Sequence, residues 1–173
     1  MTLDDTDRRL LRALYDDPDL TNKSLAHRLG LAESTCAYRL RSLRERGVII
    51  GRQLQLDLAA LGFPLEAVIK VRLNSHSQGL VRSFHDEVVK VPGVISIFHV
   101  GGDDDYLLHV AVEDAQALRD LVLDHITVHR VVRQTGTQLV FERRDGVGVL
   151  PASERPPPKD SSRTAAARPG STG

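Results

Sequence analysis

The chain has 173 residues, of which 41% are apolar and 27% charged, with 23 basic against 23 acidic side chains and a single cysteine. This is the composition of an ordinary globular protein, and it excludes a disulfide framework and a thiolate metal site. Since no apolar run approaches the roughly 18 residues of a membrane span and no signal-like segment opens the chain, we expect a cytoplasmic protein with no membrane partner.

The charge is unevenly distributed along the chain. Residues 23–52 hold seven basic and two acidic side chains, whereas residues 1–22 hold three and six, and residues 53–150 hold nine and thirteen. A local excess of positive charge within an acidic body is typical of a nucleic-acid contact surface. The alternative is an ordinary solvated helix face.

Three helices are predicted in the first 51 residues. The first carries Asp4 and Asp5 at its amino end and stops near Pro18. A two-turn helix follows, with Thr21 as its N-cap and Gly30 as a left-handed terminator, and it must pack on a neighbour because it is too short to stand alone.

The third helix has a narrow apolar stripe formed by Cys36, Leu40 and Leu43, and its other side is basic and hydroxyl-rich. Two short helices joined by a Gly-containing turn, the second facing outward, describe a helix-turn-helix whose recognition helix enters the DNA major groove. A plain helical hairpin is the alternative. The candidate DNA-contacting residues are Thr21, Lys23, Ser34, Thr35, Tyr38, Arg39, Arg41 and Ser42.

After a connector at residues 52–64, in which alternating leucines suggest an extended segment, residues 65–150 predict a second domain. The pattern gives a strand at "EAVIKVRL", a helix with Leu80, Val81, Phe84, Val88 and Val91 on its buried side, strands at "VISIFHV" and "YLLHVAVE", a helix at "DAQALRDLVLDHI", and a last strand at "VVRQTGTQLVF". The order βαββαβ is the ferredoxin-like arrangement, with both helices on one face of an antiparallel sheet. The chain is therefore predicted to be α+β, a winged-type helix-turn-helix followed by a ferredoxin-like domain.

The other face of the predicted sheet is too apolar for water. It is expected to show Val68, Ile97, Leu107, His109 and Ala111. Stacking of two such sheets in a C2 homodimer would cover it, and two-fold symmetry suits a protein that reads a palindromic operator in double-stranded DNA.

Three adjacent carboxylates stand in the loop "GGDDDY" between two strands. One Asp is enough to cap a tight turn, so the others either solubilise the loop or receive a ligand. The histidine pairs 125/129 and 99/109 make a metal site conceivable, but lone histidines without further ligands at fixed spacing are more often structural, and we predict neither metal nor cofactor.

The ordered segments "LDDTDRRLLRAL", "LAHRLGLAESTCAYRLRSLRERGVI" and "GGDDDYLL" resemble the Lrp/AsnC feast/famine transcriptional regulators over residues 3–149. The resemblance implies a homodimer that can assemble into an octamer. It also implies that residues 65–150 bind a small effector, usually an amino acid, at interfaces near a Gly-Asp-x-Asp-Tyr loop. On this chain the implied effector-binding residues are Gly102, Asp103, Asp105 and Tyr106, with Thr135 and Thr137 from a Thr-x-Thr stretch.

Two departures from the family pattern are visible. Ala32 stands where the family often has a capping Ser, so Ser34 is expected to cap the recognition helix instead. The Pro-Gly turn before the last strand is replaced by "HRV" at 129–131.

Two other functions remain open. Some tetrapyrrole decarboxylases resemble the same architecture, and an architectural DNA binder would need no effector. The tail, residues 151–173, is rich in Pro, Ser, Ala and Gly without apolar periodicity, and it is expected to be disordered.

Overall fold

The computed structural model describes residues 2–74 and 77–150. These fall into two compact units, the first comprising residues 2–53 with 145–150 and the second comprising residues 54–144. Residues 145–150, which the sequence assigned to the second domain, thus belong to the first unit. The tail, with its expected disorder, lies outside the described residues.

The first unit contains α1 (Asp5–Asp16), α2 (Asn22–Leu29) and α3 (Glu33–Glu45). The carboxylate of Asp4 caps α1 by accepting a hydrogen bond from the backbone N–H of Asp7 at 2.7 Å, and Thr21 caps α2 through the N–H of Ser24. Gly30 ends α2 with φ 67°, as predicted. The expectation for Ser34 is wrong: α3 begins at Glu33, and Ala32 occupies the N-cap position without a side-chain hydrogen bond.

One apolar cluster holds the three helices together. Its fully enclosed members are Leu10, Ala13, Leu25, Ala26, Cys36, Leu40 and Leu43. Each leucine contributes about 1.5 to 3 kcal/mol by its burial, which is what lets a two-turn helix such as α2 persist. Burial also raises the pKa of the Cys36 thiol, so this residue acts as a small apolar packing group.

Residues 145–150, the C-terminal strap, are attached to α1 by Arg12. The Arg12 guanidinium lies 3.3 Å from the carbonyl oxygen of Val147 and 3.2 Å from that of Leu150, and it pairs with Asp16 at 3.2 Å. Gly148 in the strap has φ 75°, and a Cβ there would lie 3.0 Å from the Tyr15 hydroxyl. The strap therefore explains why an arginine is buried on a helix whose other inward residues are mostly apolar.

The second unit is the predicted βαββαβ arrangement. Its elements are β1 (Leu65–Leu73), α4 (Gln78–Val88), β2 (Val94–His99), β3 (Tyr106–Val112), α5 (Ala115–Leu121) with a π-helical turn at Val122–Ile126, and β4 (Val132–Leu139). The sheet is antiparallel with strand order β2-β3-β1-β4, so β1 and β3 are central. The connector at 52–64 contains no strand in the described chain, and it ends in a turn where Gly62 has φ 94°.

The two helices cover one face of this sheet. On that helix-covered face Ala67, Ile69 and Val71 of β1 pack against Phe84 and Val88 of α4, as the alternation predicted. Leu80, predicted on the buried side of α4, is instead 52% exposed. Val81, Phe84 and Val88 of α4 are buried or partly buried as predicted, and so is Val91, which lies beyond the end of the helix.

The other face, here called the open face, carries residues whose side chains alternate with the core. It contains Glu66, Val68, Lys70 and Arg72 of β1, with Leu107, His109 and Ala111 of β3 opposite them. Ile97 is not among them, because a bulge between Val94 and Ser96 shifts the register of β2 and pairs Ile97 with the core residue Leu108. Phe98 takes its place on the open face, and it is 54% exposed.

Candidate DNA and effector interfaces

The outward side of α3 presents most of the predicted DNA-contacting residues. Cys36, Leu40 and Leu43 point into the core, while Ser34, Thr35, Tyr38 and Arg41 are exposed and Ser42 is half-buried. Tyr38 is 73% exposed, which is unusual for an aromatic side chain that has no external partner. Hydroxyl and guanidinium groups on an exposed helix face can donate to and accept from base edges and phosphates.

Arg39 is placed differently from the other candidates. Its Nη1 atom lies 2.6 Å from Oδ2 of Asp4 and 2.8 Å from Oδ1 of Asp7, both at the amino end of α1. Arg46, two turns further along at the carboxyl end of α3, approaches Asp7 with Nη1 3.6 Å from Oδ2. The hydrogen bond from Arg39 holds the pKa of the Asp4 carboxyl below its usual range. Arg39 therefore ties α3 to α1, a role that its position in the sequence alone did not indicate.

The amino end of α2 holds the two remaining candidates. Thr21 and Lys23 are exposed, but the Thr21 hydroxyl is already used as the cap of α2 and lies 2.9 Å from the hydroxyl of Ser24. Beside them, the Asn22 side chain donates to the carbonyl oxygen of Glu33 at 3.0 Å and so links the start of α2 to the start of α3. Sequence reasoning missed Asn22, since nothing local marks a contact that spans the turn.

In the acidic loop, Asp105 interacts with the backbone of β1. Its Oδ2 accepts a hydrogen bond from the N–H of Leu73 at 2.7 Å, and its own N–H donates to the carbonyl oxygen of Val71 at 2.9 Å. Gly102 supplies the left-handed backbone of the turn with φ 123°. Asp105 thereby fixes the loop to the end of the central strand.

The middle carboxylate, Asp104, is paired with two cations of the open face. It lies 2.9 Å from Nζ of Lys70 and 3.0 Å from Nε of Arg72, and these hydrogen bonds lower the pKa of its carboxyl. The resemblance placed Asp104 at a variable position of the loop motif. A signal for the pairing was nevertheless present in the sequence, because Lys70 and Arg72 stand at alternate positions of β1. Asp103 is the exposed carboxylate of the three.

Tyr106 follows the loop and is only 2% exposed. Its ring stacks on His99 with centroids 4.7 Å apart and leans on Phe84 at 5.3 Å. Burial, together with the nearby Asp105 carboxylate, raises the pKa of the Tyr106 hydroxyl, which stays protonated.

Thr135 and Tyr106 flank the same residue of β1. In the sheet register Val71 is opposite Tyr106 on one side and opposite Thr135 on the other, and Thr137 is opposite Ile69. The sheet therefore brings Tyr106 and Thr135 to one end of the helix-covered face, near the acidic loop. Thr135 is half-buried, and Thr137 is exposed two residues further along β4.

The four histidines considered as possible metal ligands do not come together at one site. His99 pairs with Tyr106 rather than with His109, whose Nε2 lies 2.7 Å from Oε2 of Glu66 on the open face. His129 packs edge-on against Phe84, and His125 is exposed. Across residues 2–74 and 77–150, no three His, Cys, Asp or Glu side chains are grouped to hold a metal ion. Within the same ranges no helix is long and apolar enough to cross a membrane.

A helix-turn-helix unit with an exposed basic helix, joined to a ferredoxin-like unit with a fixed acidic loop, defines a DNA-binding regulator with a separate ligand domain. A model of winged helix-turn-helix DNA-binding domains matches residues 3–50, and a model of the Lrp/AsnC ligand-binding domain matches residues 66–146. The chain therefore belongs to the Lrp/AsnC family of transcriptional regulators.

Individual relatives agree. The chain is 42% identical to the transcriptional regulator AldR of Mycolicibacterium smegmatis over 86% of each protein, and 33% identical to the leucine-responsive regulatory protein of Rhizobium meliloti over 82% of this chain and 90% of that one. The crystal structure of a transcriptional regulator from Neisseria meningitidis in complex with L-Met aligns with a TM-score of 0.79 at 31% identity, over 87% of this chain and 97% of that one. These relatives are named as regulators, and none of the three is named as an enzyme, so nothing in them favours a tetrapyrrole decarboxylase.

Proposed function

We propose that this regulator binds a palindromic operator as a C2 homodimer and that an amino acid changes its assembly or its affinity for DNA. The observation that carries the DNA-reading part is the exposed face of α3. Ser34, Thr35, Tyr38 and Arg41 all lie opposite the buried stripe, on the helix that follows the turn of the helix-turn-helix. We propose a cytoplasmic location for a regulator that acts on DNA in this way.

The open face of the sheet supports the dimer. Val68, Leu107 and Phe98 lie there as partly or largely exposed apolar side chains, and His109 pairs with Glu66 beside them. A second copy of the same sheet would cover these groups, because a two-fold interface uses one surface twice. We propose further that such dimers can associate into an octamer.

For the effector we propose a site at the end of the sheet where the acidic loop meets Tyr106 and Thr135. An amino acid carries one ammonium and one carboxylate, and Asp103 is the loop carboxylate that is exposed to receive the ammonium. In this proposal Asp105 and Gly102 fix the conformation of the loop. Tyr106 forms the base of the effector site, and Thr137 adds a hydroxyl group further along β4. The L-Met bound to the Neisseria meningitidis regulator makes an amino acid the first class of ligand to test.

The experiment is a thermal-shift and gel-shift screen with the twenty amino acids on the wild type, Asp103→Asn and Glu113→Gln. Glu113 is the matched control, an exposed acid in the same unit. A charge-assisted contact contributes about 1.5 to 3 kcal/mol, so Asp103→Asn should weaken the ligand response roughly tenfold to a hundredfold while the control keeps it. If no amino acid alters melting or DNA affinity of the wild type, the protein is an effector-independent DNA binder.

A further inference from the structure

A groove with a volume of about 330 Å³ separates the start of α2 from one side of α3. It is lined by Leu20, Asn22, Ala37, Leu40, Arg41, Arg44 and Arg52. Three guanidinium groups thus share one small concavity. Within the described chain no carboxylate lies at ion-pair distance from any of the three, as the described ion pairs of this unit involve Arg12, Arg39 and Arg46 instead.

The two sides of α3 differ in charge. At about 100° per residue, Arg39 and Arg46 lie on the side toward α1, where Asp4 and Asp7 neutralise them. Arg41 and Arg44 are three residues apart and lie on the opposite side, toward α2, where Arg52 joins them. One side of the helix therefore carries compensated arginines, and the other side carries a concentration of uncompensated positive charge.

Asn22 gives the groove a fixed wall. Its amide nitrogen is committed to the carbonyl of Glu33, and its Oδ1 atom is buried without a hydrogen-bond partner among the described residues. A guanidinium has five N–H donors and no acceptor, so one arginine of the groove can satisfy Asn22 and still present donors outward. The planar guanidinium presents pairs of parallel N–H donors, and two oxygens of a phosphate can accept such a pair of hydrogen bonds.

We propose that Arg41, Arg44 and Arg52 bind DNA backbone phosphates at one rim of the major groove that α3 enters. The major groove is about 12 Å wide and an α-helix with its side chains is nearly as thick, so each side of an inserted helix faces a phosphate rim. The side bearing Arg39 is already neutralised, so the phosphate contacts are assigned to the groove side. Arg41, Arg44 and Arg52 are together called the phosphate clamp. This inference rests on the proposed function. Arg52 lies beyond the matched helix-turn-helix region, which ends at residue 50.

The test measures the salt dependence of DNA binding for Arg44→Gln, Arg52→Gln and the control Arg82→Gln, an exposed arginine in the second unit. The operator is first selected with the wild type from a random duplex library. Each groove variant should lower the slope of log K against log salt by about 0.9, and it should weaken operator and scrambled DNA by a similar factor, roughly fivefold to tenfold near 0.1 M salt. Arg82→Gln should keep the wild-type slope, and Arg44→Lys should restore most of it, since a lysine is still a cation.

Several results would overturn the proposal. If the wild type binds its operator specifically and both groove variants keep its slope, the phosphate clamp is wrong while the proposed function stands. Relaxed specificity at an unchanged slope would make these arginines base readers instead. If inorganic pyrophosphate raises the melting temperature of the wild type but not of Arg44→Gln, with DNA slopes equal, the groove holds a free anion. A wild type with no DNA affinity would remove both the proposed function and this inference.

Discussion

Replacing Arg12 by Met tests how much the C-terminal strap contributes to the DNA-binding unit. The Arg12 side chain is 5% exposed, and it joins α1 to two carbonyl groups 135 and 138 residues away in sequence. Methionine fills a similar volume along the aliphatic stem but can neither donate a hydrogen bond nor carry a charge. The substitution therefore isolates the polar contacts of the strap.

The expected loss of stability follows from the groups that remain behind. Asp16, whose side chain is 15% exposed, would lose its cation, and removing one partner of a buried pair costs about 3 to 5 kcal/mol. Val147 is 65% exposed, so water can replace the lost hydrogen bond to its carbonyl oxygen. Because water has partial access to these groups, the loss should lie at the lower end of the roughly 3 to 5 kcal/mol range. We therefore expect Arg12→Met to lower the free energy of unfolding by about 3 kcal/mol.

Urea unfolding of the first unit, followed by circular dichroism, is the assay. A chain ending at Arg144 removes the strap and should destabilise the helices, whereas a chain ending at Leu150 keeps both carbonyl contacts and should match the full chain. Arg12→Met in the chain ending at Arg144 should add much less than it does in the full chain, because the two changes remove the same interaction. Equal effects of Arg12→Met in both chains would refute the role of the strap.

The remaining predictions concern the charged contacts. Arg39→Ala should lower the melting temperature, since Asp7 is only 9% exposed and loses its closest cation, while calorimetry that shows no change would mean the pair is not formed in solution. Asp105→Ala should lower the melting temperature of the second unit even without ligand, because the N–H of Leu73 loses its acceptor, and hydrogen exchange at Leu73 should speed up. Asp104→Asn should be less stable than the wild type at neutral pH. Hydrogen bonds from Lys70 and Arg72 hold the folded pKa of Asp104 below the ordinary carboxyl value, so its ionised form stabilises the fold fully above that ordinary value. This stabilisation is lost as the pH falls through the lowered folded pKa, and there the difference between the two proteins should vanish. A difference that persists in acid would exclude the ion pairs as its cause.

The helices, strands and their order could be predicted because apolar residues recur with a helical or strand periodicity in each element. Capping or terminating residues also mark where several of the elements end. Alternation along β1 fixed which residues enter the core, and Gly30 and Thr21 marked the ends of α2. Ile97 could not be placed in this way, since the bulge beside it adds a residue to one strand and reverses the alternation.

The charged contacts were harder to predict because they join residues that are distant in sequence. Arg39 lies 35 residues from Asp4, and Asp104 lies 32 residues from Arg72. Both arginines are exposed cations when their own elements are considered alone, and only the packing of neighbouring elements supplies their partners. Sequence reasoning therefore gave Arg39 as a DNA-contacting candidate and could not indicate that its guanidinium pairs with Asp4 and Asp7 at the amino end of α1.

The most direct test of the central proposal is selection of the full chain against a random duplex library, followed by hydroxyl-radical footprinting on the enriched DNA. A C2 dimer that places two copies of α3 in successive major grooves predicts an inverted repeat with half-sites about 10 base pairs apart, or a multiple of that spacing. Tyr38→Ala should bind the same DNA with relaxed preference within each half-site. Enrichment of no sequence, or of a site without two-fold symmetry, would contradict the account.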